Sequence, residues 1–227
     1  MKIVIVSILM GLIISKTELF NPKYRSNNSF NLYNPIARSS SSNKKEEIKN
    51  GDLIFHTSVS GQSKAIQMAT KSKFSHCGII FKEGNQYFVF EAVQPVKKTP
   101  LDQWIARGQN GKYVIKRLKD ADHLLTPSVI NKMKQEGSRF IGKNYDFAFE
   151  WSDNKMYCSE LIWKIYQRAV GVEIGKLEKL KDFDLTSEPV RKKLKERYGS
   201  KIPQNEIVIS PGSIYASELL TTVYSNF

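Results

Sequence analysis

Cys158 is the residue of this sequence best placed to do chemistry. It opens an amphipathic segment in which Leu161, Ile162, Ile165, Tyr166 and Ala169 share one helical face, and Gly171 stops it. A thiol at a helix start meets free backbone N–H groups and the positive end of the dipole, and both favour the thiolate. The same N–H groups can hold an oxyanion as it develops on an attacked carbonyl. Placement alone is weak support, because cysteine is among the most buried residue types. A nucleophile also needs a base, and three histidines are available: His56, His76 and His123.

The chain pattern ranks them. Ser75 to Phe81 and Gln86 to Ala92 are β-rich runs that flank Lys82-Glu83-Gly84-Asn85, the pattern of a hairpin. With those four residues as the loop, Phe81 pairs with Gln86 and the ladder puts His76 opposite Glu91. Directly opposed side chains share a face about 5 Å apart. A carboxylate there would orient the imidazole and raise its basicity. His56 ends the first strand with no evident acid partner, and His123 lies beside Asp120 and Asp122 in a polar stretch. Cys77 points to the face opposite His76, so it is expected to be a packing residue.

The elements that must position these groups can be read in outline. Gly51 to His56 is a strand, and Gln62 to Lys71 a short helix with Gln62-Ser63 as its expected cap. Pro100 opens a helix carrying Leu101, Trp104 and Ile105, and Lys112 to Leu118 is another strand. Thr126-Pro127 begins a helix that reaches about Phe140, before Gly142. Tyr145, Phe147, Phe149 and Trp151 alternate as in a strand with one apolar face. Glu150, Asp153 and Glu160 flank Cys158 and read as cap or dipole partners. A basic helix, Pro189 to Tyr198, follows Ser187 as N-cap. Strand, helix, several strands and then helices make an α+β fold, an antiparallel sheet packed against helices.

The 227 residues favour one folded domain, and 41% apolar content suffices for a core. The formal charge of +13 points to anionic partners, an envelope surface among them, or to a solvated basic face. No basic-aromatic motif calls for nucleic acid. Two cysteines are too few for a disulfide scaffold, and no spacing suggests zinc. Lys2 and the apolar run Ile3 to Ile14 read as a signal peptide over residues 1–15, with an uncleaved membrane anchor as the alternative. Export to the periplasm or cell envelope follows. Residues 16–50, rich in Asn, Ser and Lys, read as a flexible linker, leaving 51–227 as the domain.

Four stretches together resemble a known family. Gly51-Asp-Leu-Ile-Phe, Ser75-His-Cys-Gly-Ile-Ile, Phe90-Glu-Ala and Tyr157-Cys-Ser-Glu-Leu resemble the YiiX/YaeF-like permuted papain-type amidases of the NlpC-type cysteine peptidase superfamily. Gly142-Lys-Asn-Tyr-Asp and the region from Pro211 are similar too. The resemblance runs from about Gly51 to the C-terminus. It implies a circularly permuted papain-like fold, a sheet or barrel against helices. It also implies Cys158 as nucleophile, His76 as base and Glu91 as orienting acid, the reverse of papain's chain order. Tyr157 would help shape the oxyanion hole or simply pack.

The reaction so implied is acyl transfer through a thioester on Cys158, with no metal or organic cofactor. The substrate would be a peptide-like amide, wall-derived in the leading reading. A lipid-directed acyl hydrolase or acyltransferase is the second reading, and a non-catalytic binding module the third.

Overall fold

A strand buried on both faces reads as a nearly continuous apolar run, and Leu53–Phe55 and Ile79–Phe81 are such runs. In the computed structural model, which describes residues 47–227, β1 (Leu53–His56), β2 (His76–Glu83), β3 (Gln86–Glu91), β4 (Lys97–Pro100), β5 (Val114–Leu118) and β8 (Leu220–Ser225) form an antiparallel sheet. Among the described residues its order is β4-β3-β2-β1-β5-β8. All of β1 and β5 is buried. Around the sheet lie α1 (Gly61–Thr70), α2 (Leu101–Ala106), α3 (Ala121–Leu124), α4 (Pro127–Ser138), α5 (Cys158–Val170), α6 (Glu188–Tyr198) and α7 (Pro211–Tyr215). Two short strands, β6 (Glu178–Lys179) and β7 (Ile207–Val208), pair separately.

Alternation divides the sheet between two cores. Phe55, Cys77, Ile79 and Phe81 pack with Leu161, Ile162 and Ile165 of α5. Ile54, Ile80, Val89 and Ile115 pack with Trp104 of α2 on the other face. Removing each large aliphatic side chain from water contributes about 1.5–3 kcal/mol, so the apolar stripe of α5 fixes that helix against β2. Gly171, at φ 78, ends α5 in the left-handed conformation expected of its sequence.

The hairpin differs from its expected register. Glu83, not Phe81, pairs with Gln86, so the loop is Gly84-Asn85 alone. Gly84 takes φ +58, which suits a tight two-residue turn, and Lys82 and Glu83 remain in the ladder. Continuing the ladder puts Gly78 opposite Glu91 instead of His76. The shift is two residues, and the side-chain period is also two, so His76 and Glu91 keep a common face as diagonal neighbours.

Two further expectations change. The aromatic alternation over 145–151 is not a strand: only an isolated bridge joins Tyr145 to Met156. Buried Asp146 instead accepts the Ala148 and Glu150 N–H groups at 2.8 and 2.7 Å, and Phe149 takes φ 52. The first helix is preceded by Ser60, while Gln62 and Ser63 turn to other partners. Ser187 does stand at the N-cap of α6, yet its hydroxyl makes no capping bond.

Glu47 to Asn50, placed in the linker by composition, are tied to the domain. The Glu47 carbonyl accepts from Arg117 at 2.7 Å, and the Ile48 carbonyl from Tyr87 at 3.1 Å. The expected signal segment, 1–15, and the linker through residue 46 lie outside the described residues.

Candidate active site

The site is built where the start of β2 meets the start of α5. Tyr157, in extended conformation, is the N-cap of α5, and Cys158 is its first helical residue. Glu160 reaches back to the Tyr157 N–H at 3.4 Å and bonds Lys164 at 2.7 Å. Burial raises the Glu160 carboxyl, against the pull of Lys164, to about 7. Asp153 pairs with Lys164 and Arg168. Glu160 therefore holds the helix start, as the sequence suggested, whereas Asp153 ties down Lys164 and Arg168 farther along α5 and Glu150 donates its N–H to Asp146.

Cys158 is buried and free, with the Cys77 thiol and the His76 imidazole as the neighbours that act on its charge. The neighbouring Cys77, then His76 and its charge, hold its thiol well below the usual range although burial opposes this. Cys77 does alternate away from His76 and does join the α5 core, but it is not a packing residue alone. It acts on the Cys158 thiol, an influence that strand alternation could not reveal because α5 supplies that thiol. Burial, and then the neighbouring Cys158, push the Cys77 thiol itself well above the ordinary range.

His76 donates its Nε2–H to the ionised Glu91 Oε2 at 2.6 Å, which leaves Nδ1 uncommitted to the carboxylate. Burial disfavours its charge, but the neighbouring Cys158 thiol and the bond to Glu91 outweigh burial and raise it to about 9. Gly78 makes the diagonal contact feasible. A Cβ there would stand 2.3 Å from Val89 Cγ1 and 3.5 Å from Glu91 Cβ.

Glu91 is fully buried and held from four directions. Besides His76, Trp104 Nε1 donates to Oε2 at 2.9 Å, and Thr99 Oγ1 donates to Oε1 at 2.5 Å. The Arg107 guanidinium also donates to Oε1. Burial alone would raise this carboxyl, but His76 chiefly, with Thr99 and Arg107, lowers it to about 2. Thr99, Trp104 and Arg107 were not identified as site residues from the sequence. They come from β4, which pairs with β3, and from α2 and the residue that ends it. The one available signal was Trp104 on a short helix close after the hairpin.

His56 pairs with His76 across β1 and β2 and stacks on Trp104, with ring centroids 3.9 Å apart. Burial, then His76 and Arg107, lower it to about 3, so it is a neutral spacer. His123 is exposed on α3 and takes no part. Tyr157 is buried, edge-on to Phe149, and its hydroxyl accepts the Ile209 N–H at 3.2 Å. Its ring is a wall beside Cys158. Tyr145 stands on the same side, its hydroxyl accepting from Gln62 Nε2 at 3.3 Å. Ser63 instead bonds Ser75 at 2.6 Å.

A narrow slot of about 90 Å³ leads to Cys158. Ala65, Phe149, Tyr157, Leu194 and Val208 are among its walls, with Lys193 and Arg197 of α6 contributing the charges.

A buried carboxylate that orients a histidine on a sheet, beside a cysteine that opens a helix, is the arrangement of a papain-like site, here in the order His, Glu, Cys. The chain belongs to the permuted papain-like amidase enzymes of the YaeF/YiiX, C92 family, whose model matches residues 47–224. It is 50% identical over 173 residues to the uncharacterized protein YiiX of Escherichia coli strain K12, covering 76% of this chain and 84% of that one. The fold matches the crystal structure of the metalloprotein YiiX from Escherichia coli O157:H7 with a TM-score of 0.75. There the identity is 49%, over 79% of this chain and 98% of that one.

Proposed function

We propose that the chain hydrolyses a peptide-like amide through an acyl-enzyme on Cys158. The observation that carries this reading is the buried His76–Glu91 hydrogen bond at 2.6 Å, with His76 acting on the charge of a thiol at the first position of α5. The thiolate attacks the carbonyl, and helix N-terminal N–H groups receive the oxyanion. Imidazolium His76 then protonates the departing amine, and as a neutral base it activates the water that releases the acyl group. Glu91 keeps the ring oriented and stabilises its charge throughout.

The related crystal structure is described as that of a metalloprotein. Among the described residues no group of three or more His, Cys, Asp or Glu side chains is arranged to hold a metal ion. His76 Nε2 is already committed to Glu91. The residues present do not fit a metal, and no step here passes through one.

We propose further that the substrate is a wall-derived peptide and that the protein works, exported, at the cell envelope. The apolar run Ile3 to Ile14 and the +13 charge support this reading. No described helix is long and apolar enough to cross a membrane. The apolar walls of the slot favour a second reading, a lipid-directed acyl hydrolase.

Mass spectrometry of the intact protein tests the mechanism. Incubation with a γ-linked peptide amide and, separately, with an acyl thioester should leave an acyl mass on the Cys158 peptide at short times. Turnover of the amide favours the first reading, and stable acylation by the thioester alone favours the second. Cys158→Ala should abolish both signals and lower turnover by about 10⁴-fold or more. Unchanged turnover in that variant would sink the acyl-enzyme altogether.

A further inference from the structure

The basic side chains of α6 are not equivalent. Arg191 donates to the Thr186 carbonyl, and Lys193 pairs with Glu196 at 2.7 Å. Lys192 and Lys195 face solvent. Arg197 is partly buried in the wall of the slot that contains Cys158, its guanidinium 4.7 Å from the centre of the Phe149 ring. Among the described residues it makes no hydrogen bond and no ion pair. Burial lowers its pKa from the ordinary value, yet a guanidinium stays charged at any working pH.

A charge drawn into an apolar wall is costly unless it is paired. Stacking on Phe149 offsets part of that cost and orients the planar fork, but satisfies none of its five donors. The nearest basic neighbour on the slot wall, Lys193, is already engaged by Glu196. Cys158, Tyr145 and Arg197 line the same slot. A molecule whose carbonyl lies at Cys158 therefore extends toward an unpaired, oriented cation across apolar walls.

We propose that Arg197 is a substrate-binding residue that seats an anionic group, carboxylate or phosphate, carried by the acyl part of the substrate. This rests on acyl transfer at Cys158 as set out above. The substrate class becomes an amide whose acyl portion is apolar near the scissile carbonyl and anionic beyond it. The guanidinium forms charge-assisted hydrogen bonds with that group, and the slot excludes the water that would weaken them.

Two activated esters test it with the full chain: 4-nitrophenyl hexanoate, and the mono-4-nitrophenyl ester of adipic acid, which carries a carboxylate at the far end of the same chain length. The nitrophenolate burst reads acylation of Cys158. The wild type should prefer the adipate ester in kcat/KM by about tenfold, the scale of one charge-assisted hydrogen bond. Arg197→Gln should collapse that ratio toward one, and Arg197→Lys should restore part of it. A phosphonate-capped ester of the same length identifies the anion: faster acylation than adipate assigns a phosphate, slower a carboxylate. Equal rates for hexanoate and adipate in the wild type, or a preference that survives Arg197→Gln, would overturn the anion site alone. Absence of a burst with every ester would overturn the acyl-transfer reading beneath it, and the proposal with it.

Discussion

The two halves of the site are held by different physics. On the β2–β3 side, one buried carboxylate is fixed by four donors, and geometry is set by directional bonds. On the α5 side, the thiol is placed by packing: a stripe of Leu161, Ile162 and Ile165 seats the helix, and an apolar slot opens beside it. Charge can be stored safely only where every lone pair is met. The acid therefore sits in the polar half, and Cys158, the proposed nucleophile, sits in the half that would admit a substrate. His76 is the one member that touches both.

The sharpest way to break this division is to remove its joint. His76→Ala should return the Cys158 thiol toward the ordinary range and lower turnover by about 10²–10⁴-fold. Alkylation of each cysteine followed across pH checks it, because the apparent pKa, unlike the rate at one pH, is not masked by falling nucleophilicity. In the wild type, turnover should rise as Cys158 ionises, well below the usual thiol range. It should fall again as His76 loses its proton near 9. A profile flat to pH 10 would dissolve the ion pair.

Glu91→Gln tests the polar half. The amide keeps the shape but leaves Arg107 and Trp104 facing a weaker acceptor, and stability should drop by about 1–3 kcal/mol in denaturant unfolding. The sign with pH follows from the lowered carboxyl. Glu91 titrates at about 2 in the fold against 4.5 unperturbed, so its stabilisation is complete above about 4.5 and is lost as pH falls toward 2. The difference in stability between wild type and Glu91→Gln should shrink across that acidic window.

The smallest effect sharpens the packed half. Tyr157→Phe deletes the hydroxyl that accepts the Ile209 N–H, at a cost of about 1 kcal/mol. Turnover should change little. A loss of 10²–10³-fold, the signature of an oxyanion donor, would make Tyr157 a catalytic residue instead of a wall.

Much of this was legible in the chain because the signals were periodic. Cys158 stands at a helix start whose apolar face repeats on the 3.6-residue period, and His76 and Glu91 lie on alternating strands. The hairpin was misread by two residues because Lys82 and Glu83 look like loop residues, although β2 carries them in its ladder. The face survived the error only because it was even. The partners of Glu91 were hidden for another reason. Thr99 and Arg107 have no local pattern: the return of β4 along β3 brings Thr99 inward, and the end of α2 brings Arg107. The aromatic run from Tyr145 to Trp151 alternates as a strand would, but the Asp146 carboxylate captures the backbone N–H groups a ladder would have used.

The two-residue turn at Gly84-Asn85 has a consequence for the order in which the molecule folds. His76 and Glu91 are brought together by a local hairpin, and such hairpins close in about 1–10 μs. Cys158 arrives from far along the sequence, and contacts of that separation form late because the loop entropy must be met first. Base and acid are therefore expected to be paired before the thiol reaches them. Through the early part of folding Cys158 is an ordinary cysteine, and its reactivity is acquired only when α5 docks.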